Sequence, residues 1–549
     1  MSSPAATLRA PLLWLVLPFM AGIAVAGRGE PGWTASGWVP AGAAAAVLAG
    51  LRFSVRPGRP AALTTHAFLV LAAGLAGITA LSRGTRLPPA WTTTPREAAV
   101  VVEVETVFAS APTRKTLSGL GRIVTAEAHL HDLAGQRVYF SMIRKVSLPP
   151  VAGAQYVMRG VVQRRPPARE GRGFDAYLES AGIRLDLVRG QIERELRPPG
   201  WFRRFCVRSQ DQLEGLLRRG LEEQPGTASL YLAMLLGERA ALSAEQQNAF
   251  MRSGTFHIFS ISGLHVAVIA GAIQALLSLL RLPRRPAVAT SLTVLWLYVQ
   301  VTGGGTPAER AFLMIAFLRG AQWFRLPHNH LAALSAAALT ALVLNPRDLF
   351  SAGFQLSYGV VAALIVMASP LAARGREAWR PWRDLPEANL GRSRRLARWL
   401  VDRLIDGLAA TWAALLASTP ATIACFGLFT PGALAANLVI VPLSTGAIWA
   451  GFVSLLAGLA GADWIGAACN FIAALFIRTM DGLVQAGAEL PGVYFRAAFS
   501  SGEAAAAAQV AVLAAMLAGA SLGWRGRAGG FWLPAAVLAA ALILGVKFG

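Results

Sequence analysis

Apolar runs of about 17–25 residues, long enough to cross a hydrocarbon core of about 30 Å, recur along most of this chain. In hydrocarbon every backbone N–H and C=O must find an internal partner, so such runs become helices. The residue balance agrees. The 549 residues are 55% hydrophobic and only 15% charged, whereas soluble domains carry roughly 25% charged residues. The expected fold class is a polytopic α-helical membrane protein of about 13 spans, with one small extracytoplasmic β-rich, OB-like domain.

Residues 1–94 are expected to form N-terminal transmembrane helices, with apolar runs near 10–27, 38–51 and 63–82. Arg9, the apolar stretch from Leu12 and the Ala24-Val25-Ala26 triplet imitate a signal peptide. Further spans follow at once, so an uncleaved first helix is expected. Arg52, Arg56 and Arg59 mark a cytoplasmic loop by the positive-inside rule. That puts the N-terminus inside and the chain after residue 83 outside.

Residues 95–196 differ in kind. AAVVVEVETVF, GRIVTAEAHLHDL and RVYFSMIRKV alternate apolar and polar residues, the period of half-buried strands. Five or six short strands in this length suit an OB-like barrel. From 83 to 200 there are 18 Lys and Arg against 11 Asp and Glu. Positive-inside bias cannot explain basic charge on an outer domain, so a nucleic-acid or lipid-headgroup surface is expected. Arg144, Lys145, Arg159, Arg164, Arg165, Arg169 and Arg172 are the densest part. Residues 197–254 read as amphipathic, interfacial helices. In 201–223, Trp201, Phe205, Leu213, Leu216, Leu217 and Leu221 share one apolar face and arginines flank it.

Residues 255–549 read as a bundle. Ten runs follow one another: 257–280, 287–302, 307–321, 330–344, 350–371, 405–427, 433–458, 464–486, 504–522 and 530–547. With residue 257 outside, every strongly basic short loop falls inside and the C-terminus falls outside. The segment 372–404, with nine Arg against four acidic residues, is the main cytoplasmic feature. It serves as a topology anchor or docks a cytosolic motor.

Polar groups at membrane depth are costly unless paired or lining a wet path. FHIFSISGLHVAVIAG opens the bundle with His257, Ser260, Ser262, Gly263 and His265. Three readings compete: a broken helix lining a substrate path, a serine hydrolase using a nearby histidine, and histidines satisfied by their own helix. Arg310, Gln355, Ser357 and Asn437 should also face the bundle interior. No catalytic, metal or cofactor set is expected. The three cysteines form no spaced pair, and no G-x-x-x-x-G-K-[ST] occurs, so the chain carries no Walker-type ATPase site. His129-Leu130-His131-Asp132 is expected to have a structural or surface role, and His328-Asn329-His330 to be a short loop between spans.

Five ordered stretches carry a resemblance. They are LYLAMLLGERAALSAEQQNAFMRSGTFHIFSISGLHVAVIAG, TPAERAFLM, FSAGFQLSYGVVAALI, TPATIACFGLFTPGALAANLVIVPLS and, upstream, GFDAYLESAGI. Together they resemble the ComEC family of DNA-internalisation competence proteins, and the last is similar to the close of its extracellular DUF4131 barrel. The resemblance implies a bacterial inner (cytoplasmic) membrane channel that brings single-stranded DNA into the cytoplasm during natural transformation. It implies an extracytoplasmic DNA receptor and a cytosolic motor or DNA-binding proteins as partners, beside membrane lipid. Many members end in a metallo-β-lactamase-like domain, but no H-x-H-x-D-H motif occurs here. Strand degradation then falls to a separate nuclease, or the chain is a short member or a truncated one. The rivals are an intramembrane serine hydrolase and a small-molecule or lipid transporter.

Overall fold

The computed structural model describes residues 12–28, 69–80, 94–108, 116–143, 149–166, 173–238, 242–259, 261–327, 329–379, 381–382, 391–525 and 530–548. The expected run at 38–51 lies outside them. The first helices among the described residues are α1 (Leu13–Arg28) and α2 (Leu69–Ala80). They meet through glycine: a Cβ on Gly22 would overlap the carbonyl of Gly74, and one on Gly77 the carbonyl of Phe19. Such close backbone approach is how helices pack where hydrophobic drive is weak.

The alternating segments form strands β1 (Arg96–Phe108), β2 (Thr116–Ala126), β3 (Arg137–Ile143) and β4 (Gln155–Arg164). Helix α3 (Gly173–Ser180) and strand β5 (Leu185–Arg197) complete the unit. The sheet closes on itself in the order β1-β2-β3-β5-β4, all pairs antiparallel except β3 with β5. Closure leaves no sheet edge exposed. Alternate residues point inward, so Val100, Val102, Val104, Ile123, Val138, Phe140, Met142, Tyr156 and Met158 fill one core. The Tyr156 hydroxyl accepts the Val151 N–H at 3.1 Å, which removes the cost of burying it.

Next come α4 (Trp201–Arg218), α5 (Pro225–Leu236) and α6 (Ala244–Arg252). The apolar face of α4 is used on the bundle: Leu216 and Leu217 are buried, and Arg219 pairs with Asp463. Trp201 and Phe205, at its other end, stay exposed. Helix α5 was not expected as a separate element. It is deeply enclosed, with Leu230 to Leu236 all buried. Asn470 explains how it is held. Its Oδ1 accepts from the Tyr231 hydroxyl at 3.1 Å, and its Nδ2 donates to the carbonyls of Leu216 (2.9 Å) and Arg219 (3.0 Å). One buried amide thus ties α4 and α5 to the bundle.

The remaining helices are α7 (Gly263–Leu279), α8 (Arg284–Val301), α9 (Thr306–Trp323) and α10 (His330–Leu344). After them come α11 (Ala352–Ala378) and α12 (Arg392–Phe426). A short strand β6 (Leu428–Phe429) precedes α13 (Ala433–Leu459) and α14 (Asp463–Ala488). The chain closes with β7 (Phe495–Phe499), α15 (Gly502–Ser521), α16 (Leu533–Gly545) and β8 (Val546–Phe548). Each of the ten expected runs contains a helix, although 257–280 opens in a 3-10 turn and 530–547 ends in a strand. Among the described residues, five are long and apolar enough to cross a membrane: α11, α12, α13, α14 and α15. The protein is thus a helical membrane bundle joined to a five-stranded barrel.

Three features depart from expectation. Helix α12 starts at Arg392, well before 405, and α11 continues to Ala378, so much of the basic segment 372–404 is helical. The run 350–371 contains a π-turn at Leu364–Ala368. There the Trp524 indole N–H donates to the Val366 carbonyl at 3.0 Å, satisfying a group that the wider turn frees. Finally, β6, β7 and β8 form a small sheet. It gathers the far ends of α12, α14 and α16 on one face of the bundle.

Candidate functional site

The expected polar residues converge at that same end. A 3-10 turn, Phe256–Phe259, precedes α7. Within it Ile258 and Phe259 are fully buried, while His257 is exposed. A Cβ on Gly254 would stand 2.7 Å from Cβ of Ala433, so this turn is seated on the first turn of α13. Ser260 lies outside the described residues.

Ser262 is the N-cap of α7 and His265 its third residue. The Ser262 hydroxyl lies 2.8 Å from Nδ1 of His265, and the Ser262 backbone N–H donates to the same nitrogen at 3.3 Å. The backbone donor makes Nδ1 the acceptor, so the ring proton sits on Nε2. Among the described residues that Nε2 is buried and has no hydrogen-bond partner. The pair ends a helix as a cap does, and leaves one donor aimed inward. Gly263 is exposed. A Cβ there would stand 3.9 Å from Ala311, which sets the start of α7 beside the start of α9.

Arg310 is 5% exposed, near the start of α9. Its Nη2 donates to the Ser357 hydroxyl at 3.2 Å. Its Nε is buried without a partner, and so is the hydroxyl of Tyr358. A side chain on Gly353 would enter the space of this guanidinium: its Cβ would stand 2.8 Å from Nη2. Glu309 and Asp348 lie within electrostatic reach. Asp348 belongs to the 3-10 turn Pro346–Phe350 between α10 and α11. Burial raises its pKa, while Arg310 and Arg137 pull the other way. Among the described residues Arg310 is thus a buried cation hydrogen-bonded to one hydroxyl, with its Nε unpaired and two carboxylates in electrostatic reach.

Gln355 takes a structural part, donating to the Leu349 carbonyl at 3.2 Å. Asn437 is half-buried on α13, one turn below Ala433, with a buried Oδ1 that finds no partner. Sequence reasoning missed Asp348 and Tyr358, although Tyr358 follows Ser357 directly. It also missed Asp481, whose Oδ1 is buried unpaired on α14.

Two of the expected basic residues on the barrel are joined to carboxylates. Arg159 pairs with Glu193 at 2.6 Å. Arg165, its side chain 12% exposed, bonds Asp186 at 2.6 Å and also Asp175. Burial raises the Asp186 pKa and Arg165 opposes the rise. Arg165 therefore stands in the structure as an ion-pair strut. Arg164 is exposed. Arg144, Lys145, Arg169 and Arg172 lie outside the described residues, as do His328 and the side chain of His129. Among the described residues no group of three or more His, Cys, Asp or Glu could hold a metal ion.

The geometry defines a helical membrane bundle whose polar end lies beside a barrel domain, with the Arg347 guanidinium against Gly182. Comparison with known proteins makes this specific. The Competence protein family model matches residues 234–525, and the chain belongs to that family. ComE operon protein 3 of Bacillus subtilis (strain 168) is 30% identical over 145 residues, covering 26% of this chain and 19% of that protein. Competence protein ComA of Neisseria gonorrhoeae is 34% identical over 144 residues, covering 25% of this chain and 21% of that protein. The matched parts thus span about a fifth of these relatives. No solved structure matches.

Proposed function

We propose that the protein is an inner-membrane channel that passes single-stranded DNA into the cytoplasm during natural transformation. The observation that carries this reading is Arg310, a buried guanidinium with an unpaired Nε at the bundle end that meets the barrel. A polyanion needs cations along its path, but few and loosely engaged, or it would not leave. Arg310 with Ser357, and His257 beside the Ser262–His265 cap, supply that lining. Membership in the Competence family supports the DNA assignment.

The finer arrangement follows from charge. About 13 spans, counted by the length rule, leave the N-terminus cytoplasmic and the barrel outside. The C-terminus then lies outside too. The gathering of β6, β7 and β8 on one face agrees with this parity. An outer DNA receptor, a cytosolic motor or DNA-binding proteins, and a separate nuclease complete the system. The chain needs no cofactor in this scheme.

One observation favours a second reading. A serine hydroxyl 2.8 Å from a histidine nitrogen is the core of a hydrolase. Hydrolases hold the histidine by an acid on its other nitrogen, and here that nitrogen is buried without a partner. A small-molecule or lipid transporter is the remaining rival. Deleting the gene and scoring transformation apart from growth decides between them. Loss of transformation with normal growth is expected; a growth defect with intact transformation would favour the transporter.

A further inference from the structure

An open cavity of about 430 Å³ lies between the start of α8 and the end of α9. Pro283, Arg284, Arg285, Pro286, Trp323 and Arg325 line it. Among the described residues none of these three arginines makes an ion pair or a side-chain hydrogen bond. Neither 281–286 nor 322–329 holds an acidic residue. Helix α8 has none in its first turn either, so the positive end of its dipole adds to the field.

Arg325 holds its place on unusual backbone. At the end of α9 the Leu326 N–H donates to the Ala321 carbonyl at 2.8 Å, and the Arg325 N–H to that of Gln322 at 3.2 Å. This is the Schellman ending, whose left-handed residue is normally glycine. Here it is Arg325, with φ 57°. Arg281 ends α7 in the same way, with φ 53°. The helix dipole favours a cation near a C-terminus, but it gives that cation no reason to take the left-handed position. What Arg325 adds over glycine is a guanidinium on the cavity wall.

The surroundings are apolar. Leu279 and Leu280 at the end of α7 are exposed, and so are Phe324 and Leu326 on either side of Arg325. Along the two helices Val294, Trp296 and Phe317 are exposed as well. Exposed apolar groups on membrane helices meet lipid, and tryptophan at a helix end sits at headgroup level. A cationic cavity among such groups fits a molecule with an anionic head and apolar chains. Positive-inside bias accounts for arginines in both loops. It does not account for three of them, from two loops, lining one cavity. A DNA strand would bring phosphates without chains and leave the apolar rim in water.

We propose that this cavity binds the headgroup of an anionic phospholipid, with Arg284, Arg285 and Arg325 on its phosphate oxygens and its acyl chains along α8 and α9. Basic pockets between membrane helices on the cytoplasmic side take such headgroups, and the charge pattern puts both loops on that side. The site goes beyond the channel reading and needs no DNA contact. A lipid held there ties α8 to the inner end of α9, the helix that carries Arg310 near its other end.

The test uses the full chain in phosphatidylcholine nanodiscs containing a cardiolipin with a photoreactive headgroup. Crosslinks should fall within 281–286 and 322–327. Native mass spectrometry of the released protein should show cardiolipin retained over phosphatidylcholine. R284A/R285A/R325A should lower that retention about 10-fold or more, since each arginine near an anionic headgroup contributes several-fold. R284K/R285K/R325K keeps the charge that sets topology and should fall between the two, because lysine lacks the bidentate phosphate contact. R392A/R394A/R403A removes three arginines outside the cavity and should stay within about 2-fold of the parent, as screened distant charges do. Equal loss in R392A/R394A/R403A would reveal a general attraction to the leaflet and overturn the site. So would unchanged retention in R284A/R285A/R325A, equal retention of phosphatidylcholine by the parent, or crosslinks only elsewhere. Displacement of the cardiolipin by inorganic phosphate or by oligo-dT would give the cavity to a free anion or to the DNA strand, and overturn the lipid assignment. None of these outcomes counts against the channel reading, which DNA uptake tests separately.

Discussion

Arg310 on α9 donates to the hydroxyl of Ser357 on α11 at 3.2 Å, a bond across 47 residues of sequence. It joins two helices at the end of the bundle that meets the barrel. It also fixes the direction of a buried cation whose Nε is left unpaired. The glycine at 353 makes room for this arrangement, because a Cβ there would stand 2.8 Å from Nη2. Ser357→Ala should lower DNA uptake about ten-fold or more, since a hydrogen bond from a charged group contributes about 1.5–3 kcal/mol. Gly353→Val should lower it further, because the added isopropyl group displaces the guanidinium. Transformation frequency normalised to protein level measures both. Wild-type uptake in Gly353→Val would show that the position of Arg310 does not matter.

Asn470 is fully buried and serves three partners on α4 and α5. Asn470→Ala leaves the Tyr231 hydroxyl and two carbonyls in the core without it. Each unsatisfied group costs about 1–3 kcal/mol. The melting temperature of the detergent-solubilised protein should fall by several degrees. Asn470→Asp should fall further, because it buries a charge and loses the amide donors.

In the barrel, Arg165 offsets the burial of Asp186. Arg165→Ala leaves that carboxylate without its counter-charge, at a cost of about 3 kcal/mol near neutral pH. The folded pKa of Asp186 is already raised and would rise further. A raised folded pKa means the folded state keeps the proton longer, so stability is lost as pH rises from the unfolded carboxylate value through the folded one. The deficit of the variant should therefore shrink toward acid pH. Protease resistance of the barrel in urea, compared at about pH 5 and pH 7.5, reads this directly. A deficit that grows toward acid would contradict the assignment.

The Ser262–His265 contact is a helix cap in the channel account. A fluorophosphonate probe should leave Ser262 unlabelled, and Ser262→Ala should cost about 1 kcal/mol of stability. Covalent labelling at Ser262 that disappears in His265→Ala would install the hydrolase in place of the channel.

Much of this fold is visible in sequence because two periods are physically unambiguous. Long apolar runs can only be helices in lipid, and strict alternation places Val100, Val102 and Val104 inside a barrel. The missed elements are those where periodicity is silent. Leu230 to Leu236 are buried all round, so α5 shows no face. Strands β6 and β8 have two and three residues, too short for any pattern. The polar cluster was legible through its cost in lipid, which flags residues such as Arg310 wherever they stand. Their pairing was not: nothing local tells Arg310 to choose Ser357 over Gln355. The basic barrel stretch shows the opposite limit. Charge density pointed to Arg159 and Arg165 as a binding surface, yet both are joined to carboxylates that folding brings in from other strands.

The central claim is that DNA passes the bundle at its polar end. Uptake of labelled DNA into the cytoplasm tests it most directly, in strains carrying Arg310→Ala or His257→Ala with protein abundance measured in parallel. The account predicts loss of internalised DNA at normal abundance, with DNA still bound outside the cell. Normal uptake in both variants would contradict it.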